Sequence, residues 1–233
     1  PIPRDLFAMS APMSIGIFAV LSVGLADAFF LSQLGGGELA AVGFIYPVTT
    51  AVTSLSIGLS AGANAAISQG IGAGNSENAT RRLGLHGIGL AVVLSLAVAL
   101  LLWLGYPLLF SLLGAGEDVA GKIALYLPIW AASFPFLVTM MVTNAIFRAL
   151  GDSRTAAAIM VLAAVVNVGL DPLLIFGMWS LPELGMAGAA WATLVGRLLA
   201  MLLALWVAWK RGMLGWCGRL LADLGASLKR ILK

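Results

Sequence analysis

The stretch NAIFRALGDSRTAAAIMVLAAVVNVGLDPLLIFG, residues 144–177, joins two apolar segments through a short charged connection. After that connection, residues 155–170 contain no Asp, Glu, Lys or Arg. A helix needs about 20 apolar residues to cross a bilayer, so the pattern predicts two spanning helices joined by a tight turn. The second helix then holds a carboxylate, Asp171, directly before Pro172 and inside the membrane.

The composition of the whole chain indicates the same environment. Hydrophobic residues make up 61% and charged residues 10% of the 233 residues, and the mean hydropathy is +1.04, whereas a soluble domain carries about 25% charged residues. The apolar runs are continuous and do not alternate at every second residue, which favours helices over barrel strands. We therefore predict an all-α polytopic membrane protein with six transmembrane helices, at about 6–32, 39–71, 80–104, 120–148, 154–177 and 186–210.

The positive charges predict the orientation of these helices. Eleven of the thirteen Lys and Arg residues fall at one end of a six-helix zigzag, and the exceptions are Lys122 and Arg197. Because positive residues stay in the cytoplasm, we expect both termini to be cytoplasmic in a bacterial inner membrane. Residues 1–212 then form one six-helix lobe. Residues 213–233 show apolar positions at helical spacing, which is typical of an amphipathic cytoplasmic linker or of an ordinary solvated helix end.

Few ionisable residues lie inside the predicted spans, and each is a candidate for function. Asp27 and Asp171 are predicted at similar depth, where two carboxylates cannot both ionise cheaply, so the pair can hold a proton or share a sodium ion. Asn167 is on the same helical face as Asp171. We expect Pro172 to break the helix and free a backbone carbonyl for a cation. The alternative is a structural kink in which Asp171 pairs with Arg197.

Other chemistry is weakly represented in the sequence. No phosphate loop, zinc-ligand spacing or catalytic triad is visible, so we expect neither an enzyme nor a metal site, and no cofactor beyond a coupling proton or sodium ion. The net charge of +3 gathers at one end of the spans and does not indicate a nucleic-acid partner. Cys217 is the single cysteine and cannot form an internal disulfide. His86 lies near the basic end of its helix, where a hydrogen-bonding role is the simpler interpretation.

Three segments resemble the multidrug and toxic compound extrusion (MATE) transporters, in the prokaryotic branch related to the DNA-damage-inducible proteins. They are ADAFFLSQLGGGELAAVGF (26–44), GLSAGANAAISQGIGAGN (58–75) and the stretch 144–177. The resemblance implies one lobe of a two-lobe transporter that exports organic, often cationic, compounds against inward proton or sodium movement. It also implies a cation pocket built from five residues: Asp27, Asn144, Asn167, Asp171 and Thr193.

The sequence holds no second lobe, and this leaves its assembly open. We expect the chain to work with a second lobe or a second copy of itself, next to membrane lipid, on a small organic substrate. We also expect a cavity between helices 1, 4, 5 and 6. Two alternatives remain: a flippase for lipid-linked saccharides in the same superfamily, or a structural membrane module that transports nothing.

Overall fold

The structure, a computed structural model, describes residues 2–74, 76–180, 182–214 and 224–231. Within these residues it is all-helical, and six helices are long and apolar enough to cross a membrane, which confirms the predicted fold class. A short 3₁₀ turn at Met178–Ser180 and a final short helix complete the fold. The helices are α1 Ile2–Ser32, α2 Gly36–Gly72, α3 Glu77–Leu112, α4 Glu117–Ala149, α5 Ser153–Ile175, α6 Met186–Lys210 and α7 Leu224–Ile231.

The bundle has two chemically different ends. We call one the basic end; it carries the connections 73–76 and 150–152 and residues 211–214, with Arg and Lys side chains around them. The opposite end carries the connections 33–35, 113–116 and 176–185. Its one described Lys or Arg near a helix start is Lys122, whose Nζ lies 2.5 Å from Oε1 of Glu38 and ties α4 to α2.

Helix α3 runs eight residues beyond its predicted end at 104 and finishes at Leu112. The predicted loop 105–119 is therefore wrong, and the connection is only 113–116. Pro107 lies inside the helix, because one missing N–H and a kink are tolerated where apolar residues continue on both sides. The helix ends where the N–H of Ala115 donates to the carbonyl of Phe110 at 3.0 Å, a six-to-one bond typical of helix C-termini.

Helix α4 lies at the centre of the bundle. It packs against α2, α3 and α6, and more lightly against α5, whereas α1 packs mainly on α5. Of the most apolar window of α4, 67% of residues are buried, against 11% for α1. Aromatic side chains of α4 fill this centre, with Phe134 and Phe147 at 1% and 0% exposure.

Two glycines bring α6 close enough to α5 to set the geometry of the site described next. A Cβ placed on Gly188 would lie 2.4 Å from the carbonyl oxygen of Leu174, so only glycine fits there without movement. A Cβ on Gly196 would lie 3.2 Å from the carbonyl oxygen of Ala163 and 3.4 Å from Cβ of Asn167. Small residues allow such backbone approach between membrane helices.

The final helix, α7, packs on α2 and α3, and its Ile231 is buried. A cavity of about 450 Å³ opens beside it, lined by Leu59, Leu94 and Ile231 among others. This cavity differs from the one expected between helices 1, 4, 5 and 6. Residues 215–223 lie outside the described residues, so the assignment of 213–233 as a linker stays a prediction.

Candidate functional site

Two carboxylates meet near the opposite end of the bundle. Asp27 lies five residues before the end of α1 at Ser32, and Asp171 lies four residues before the end of α5 at Ile175. Their carboxyl groups are within hydrogen-bonding range of each other. Asp171 is fully buried, and Asp27 is half-buried. Because α1 packs along α5, the two carboxylates, predicted from the sequence to lie at the same depth, are direct neighbours.

The side-chain amide of Asn167 joins this pair to α6. Its nitrogen faces Oδ1 of Asp27 at 3.3 Å, and its oxygen faces the hydroxyl and the backbone N–H of Thr193 at 3.1 and 3.0 Å. In this orientation every donor meets an acceptor. The reversed amide would bond Thr193 through Nδ2 and turn its oxygen toward a carboxylate, so the first orientation is the physical one.

Asp171 stands out because neither of its oxygens receives a hydrogen bond from any residue that the structure describes. Buried polar atoms are normally paired, since an unpaired one costs about 1–3 kcal/mol or more. The group next to Asp171 is another carboxyl, which can only accept while both are ionised. One shared proton, or one bound cation, would give both carboxyls a partner. No group of three metal-ligating side chains occurs in the described part of the chain.

Tyr126 of α4 forms a further wall of this site, which sequence reasoning missed. It is 7% exposed, and its hydroxyl lies beside Thr193 and within electrostatic range of both Asp27 and Asp171. An aromatic residue near the end of a span is typical of an interfacial belt, so its type gave no signal. Its depth in the bundle gave a signal, because Tyr126 is nine residues from the start of α4 and Thr193 is seven residues from the start of α6, so the two lie at similar depth.

Arg197 does not pair with Asp171, so the structural-kink alternative is wrong about that contact. Its Nη1 donates to Oγ of Ser133 at 2.7 Å, and its guanidinium lies 4.9 Å from the ring centre of Trp130. Among the described residues no carboxylate oxygen lies within 4.0 Å of it. The rotation of α6 against α4 points the side chain toward the centre of the bundle, one turn deeper than the carboxylates.

Pro172 and Asn144 also behave differently from the sequence-based expectation. Helix α5 continues through Pro172 to Ile175, because a single lost backbone bond is tolerated inside a bundle; the proline does not break the helix. Asn144 lies 18 residues beyond Tyr126 on α4, about 27 Å along the axis at 1.5 Å per residue. The structure therefore brings Asp27, Asn167, Asp171 and Thr193 together and leaves Asn144 in the basic half.

Comparison with known proteins identifies the family. The MatE family model matches residues 12–173 of this chain. The chain belongs to the MatE family. The resemblance seen in the three sequence segments is thereby confirmed, and the chain's relatives are named as a FAD transporter, a MATE transporter and multidrug resistance proteins.

Individual relatives of this MatE chain cover it almost completely. It is 43% identical over 205 residues to a FAD transporter of Shewanella oneidensis. The matched region covers 88% of this chain and 45% of that protein. It is 29% identical over 211 residues to the probable multidrug resistance protein NorM of Thermotoga maritima. The crystal structure of the Vibrio cholerae MATE transporter VcmN in the bent form superposes with a TM-score of 0.90 at 30% identity, over 98% of this chain and 51% of that one.

The chain thus spans about half the length of the curated relatives it matches. In fold it corresponds to a single six-helix lobe, as predicted. It is a multi-pass membrane protein.

Proposed function

We propose that this chain is the coupling lobe of a secondary active exporter, driven by protons that enter through the pair Asp27 and Asp171. The observation that carries the proposal is the buried Asp171, whose two oxygens face a second carboxyl without a donor. A shared proton gives both groups a partner and removes one of their two negative charges. No other pair of carboxyl groups among the described residues is buried in this way.

The chemistry of the site gives a driving force for a conformational change. With the proton bound, the pair is held together, and Asn167 links it to Thr193. When the proton leaves, two unit charges about 4 Å apart repel by about 4 kcal/mol at an effective dielectric constant of about 20. A ligand shifts a conformational equilibrium only by its differential affinity for the two states, and this repulsion supplies such a difference between the arrangements of α1 and α5.

Orientation and assembly complete the proposal. The basic end faces the cytoplasm of a bacterial inner membrane, with both ends of this chain on that side. A second lobe, or a second copy of the chain, supplies the other wall, since alternating access is movement of one half against the other around a fixed site.

Two substrate classes fit the relatives. Several relatives are named multidrug resistance proteins, which supports small organic and often cationic compounds. The relative with 43% identity is named a FAD transporter, which supports a dinucleotide that carries a negatively charged pyrophosphate.

Uptake into inverted membrane vesicles of a strain that produces the native protein tests the coupling, because export from the cytoplasm becomes uptake when the cytoplasmic face is outside. Ethidium, an organic cation, and FAD are the two probes, and each is measured with an imposed pH gradient or an imposed sodium gradient. We expect the pH gradient to drive transport and Asp171→Asn to abolish it, because Asn keeps the shape but cannot exchange a proton. Asp118→Asn, a carboxylate outside the site at the same end, is the matched control and keeps full activity.

Transport that ignores the pH gradient and requires the sodium gradient would overturn the proton assignment. Full coupled efflux in Asp171→Asn would overturn the site itself. Vesicles that move neither probe under either gradient, with the protein folded in the membrane, would favour the structural membrane module.

A further inference from the structure

A second polar cluster lies in the basic half of the bundle, between α2 and α4. We call it the arginine cluster; it consists of Ser60, Asn64, Asn144 and Arg148. Nη2 of Arg148 donates to Oγ of Ser60 at 2.8 Å, and that hydroxyl donates to the carbonyl oxygen of Met141 at 2.9 Å. These two bonds hold the guanidinium against the surface of α4.

The same bonds fix the depth of the guanidinium. Arg148 is in the last turn of α4, but its side chain reaches back to a hydroxyl that touches Met141, seven residues earlier. Side chains of a helix point toward its N-terminus, so this reach is natural. The charged group therefore lies beside the turn that holds Asn144, which is on the same face as Arg148 at a spacing of four residues.

Several polar atoms of the arginine cluster have no partner among the described residues. Asn144 is 1% exposed, and neither its Oδ1 nor its Nδ2 forms a hydrogen bond. Oδ1 of Asn64, one turn from Ser60 on α2, is also buried and unpaired. No carboxylate oxygen in the described part of the chain lies within 4.0 Å of Arg148. The cluster thus presents a cation and amide groups that the protein itself does not satisfy.

A purely structural role explains only part of this arrangement. Arg148 does pin α2 to α4, and a cation is favourable near a helix C-terminus. That role uses one guanidinium nitrogen and one hydroxyl. It leaves the whole amide of Asn144 without a partner among the described residues, and an unpaired buried amide costs free energy.

We propose that the arginine cluster binds the phosphate groups of an anionic, nucleotide-type substrate that enters from the basic end. A guanidinium offers parallel N–H donors that match two phosphate oxygens. The amide of Asn144 adds N–H donors beside it, and Oδ1 of Asn64 accepts from a hydroxyl or amide of the same molecule. The inference rests on the proposed export function and selects the phosphate-bearing substrate class over the cationic one for this site.

Thermal melting of the purified protein in detergent tests the site with defined probes. FAD and inorganic pyrophosphate carry the phosphate groups, and riboflavin carries the same ring system without them. A ligand that binds only the folded state raises its melting temperature. We expect FAD and pyrophosphate to raise it and riboflavin to have little effect. Arg148→Gln should weaken FAD binding about ten- to one-hundred-fold, as loss of a charge-assisted bond implies, while riboflavin is unaffected.

Two controls separate this effect from charge and folding. Arg81→Gln removes a cation at the same end whose partner is Glu77, at 2.5 Å, and should leave FAD binding unchanged. The melting temperature of Arg148→Gln without ligand reports folding, and Asn144→Ala gives a second, uncharged variant that should weaken FAD binding without changing the net charge.

Phospholipid headgroups share the phosphate chemistry, so the melts are repeated with added phosphatidylglycerol. Competition by this lipid that removes the FAD shift, together with a lipid shift lost in Arg148→Gln, would assign the cluster to lipid and overturn the substrate proposal. Equal shifts with FAD and riboflavin, no FAD shift at all, or an unchanged FAD shift in Arg148→Gln would overturn it too. In each case pH-driven ethidium efflux still decides the proposed function separately.

Discussion

The carboxylate site and the arginine cluster are opposite in charge, in position and in construction. Near the opposite end, Asp27 and Asp171 lie among α1, α4, α5 and α6, and Asp171 lacks a donor among the described residues. In the basic half, Arg148 lies between α2 and α4 and lacks an acidic partner among the described residues. An ion pair would have cancelled each charge. In the proposed mechanism, this separation gives the proton and an anionic substrate different binding sites, so the two would not compete for the same atoms.

The largest expected effect separates the two regions by function. Asp27→Asn and Asp171→Asn should each abolish proton-driven efflux, and the double variant should be no worse than either, because the two carboxyls act as one unit. Arg148→Gln should keep proton-driven ethidium efflux. Uptake into inverted vesicles under a pH gradient measures all four variants, and a double variant clearly below both single ones would show that the carboxyls act independently.

The second prediction concerns how the carboxylate site is built. Gly188→Ala places a Cβ 2.4 Å from the carbonyl oxygen of Leu174, so α5 and α6 must separate. We expect the free energy of unfolding to fall by about 1–3 kcal/mol, as in overpacked cores. Gly169→Ala, on α5 with nothing within 4 Å of the added Cβ, is the matched control. Similar melting temperatures for the two variants would show that this backbone contact is not needed.

A substitution in the arginine cluster should lower the free energy of unfolding less than Gly188→Ala, since the cluster is held by side chains and not by close backbone contact. Ser60→Ala removes the acceptor of Arg148 and the bond to Met141, with an expected cost of about 1 kcal/mol. Ser54→Ala removes only a bond to Thr50 within the same exposed turn and should change little. Melting of both variants in detergent checks the difference, and equal values would mean that α2 and α4 do not depend on this link.

The smallest effect is expected at an exposed contact of the basic end. Burial alone would raise the pKa of Asp152, but hydrogen bonds from the hydroxyl and amide of Thr155 and contact with Arg211 outweigh it and lower the pKa below 3.8. Because the pKa is lowered in the folded protein, the ionised Asp152 stabilises the fold above the unfolded pKa of about 3.9. This contribution to stability is lost as the pH falls through the folded pKa. Exposed pairs contribute about 0.2–1 kcal/mol.

Asp152→Asn keeps a helix-capping side chain at the start of α5 and removes the charge. Its melting temperature should therefore lie slightly below that of the unchanged protein at pH 7, and this difference should shrink as the pH falls below 3.8. A difference that does not shrink with falling pH would mean that the pair with Arg211 is not the cause.

The sequence predicted those features that depend on solvent alone. Six apolar runs gave six spanning helices, because a bilayer core of fixed thickness sets helix length. Predicted depth paired Asp27 with Asp171, and helical spacing placed Asn167 beside Asp171. The family resemblance added Thr193 to this set. The structure brings all four together, and their roles stay proposals.

Features that depend on helix rotation could not be predicted in the same way. The sequence offers Arg197 two possible partners at similar depth, a carboxylate and a hydroxyl. Only the packing of α6 on α4 determines that the partner is the hydroxyl of Ser133. Tyr126 has the residue type of an interfacial belt, and its depth matches that of Thr193, but only the packing of α4 on α6 places its hydroxyl beside Thr193. Asn144 is assigned to the cation pocket only by the family resemblance, and its position on α4 places it away from that pocket.

The central position of α4 has a consequence for how the protein is made. A nascent helix partitions into lipid according to the surface it shows to lipid, yet two thirds of the apolar window of α4 is covered by other helices once the bundle is complete. Its Pro128 and Pro135 weaken it further as an isolated span. Helix α3 precedes it from the ribosome and can shield it at once, whereas α6 arrives last. During biogenesis α4 therefore stays incompletely covered until α6 is made, and quality-control proteases should recognise defects there before defects in the exposed α1.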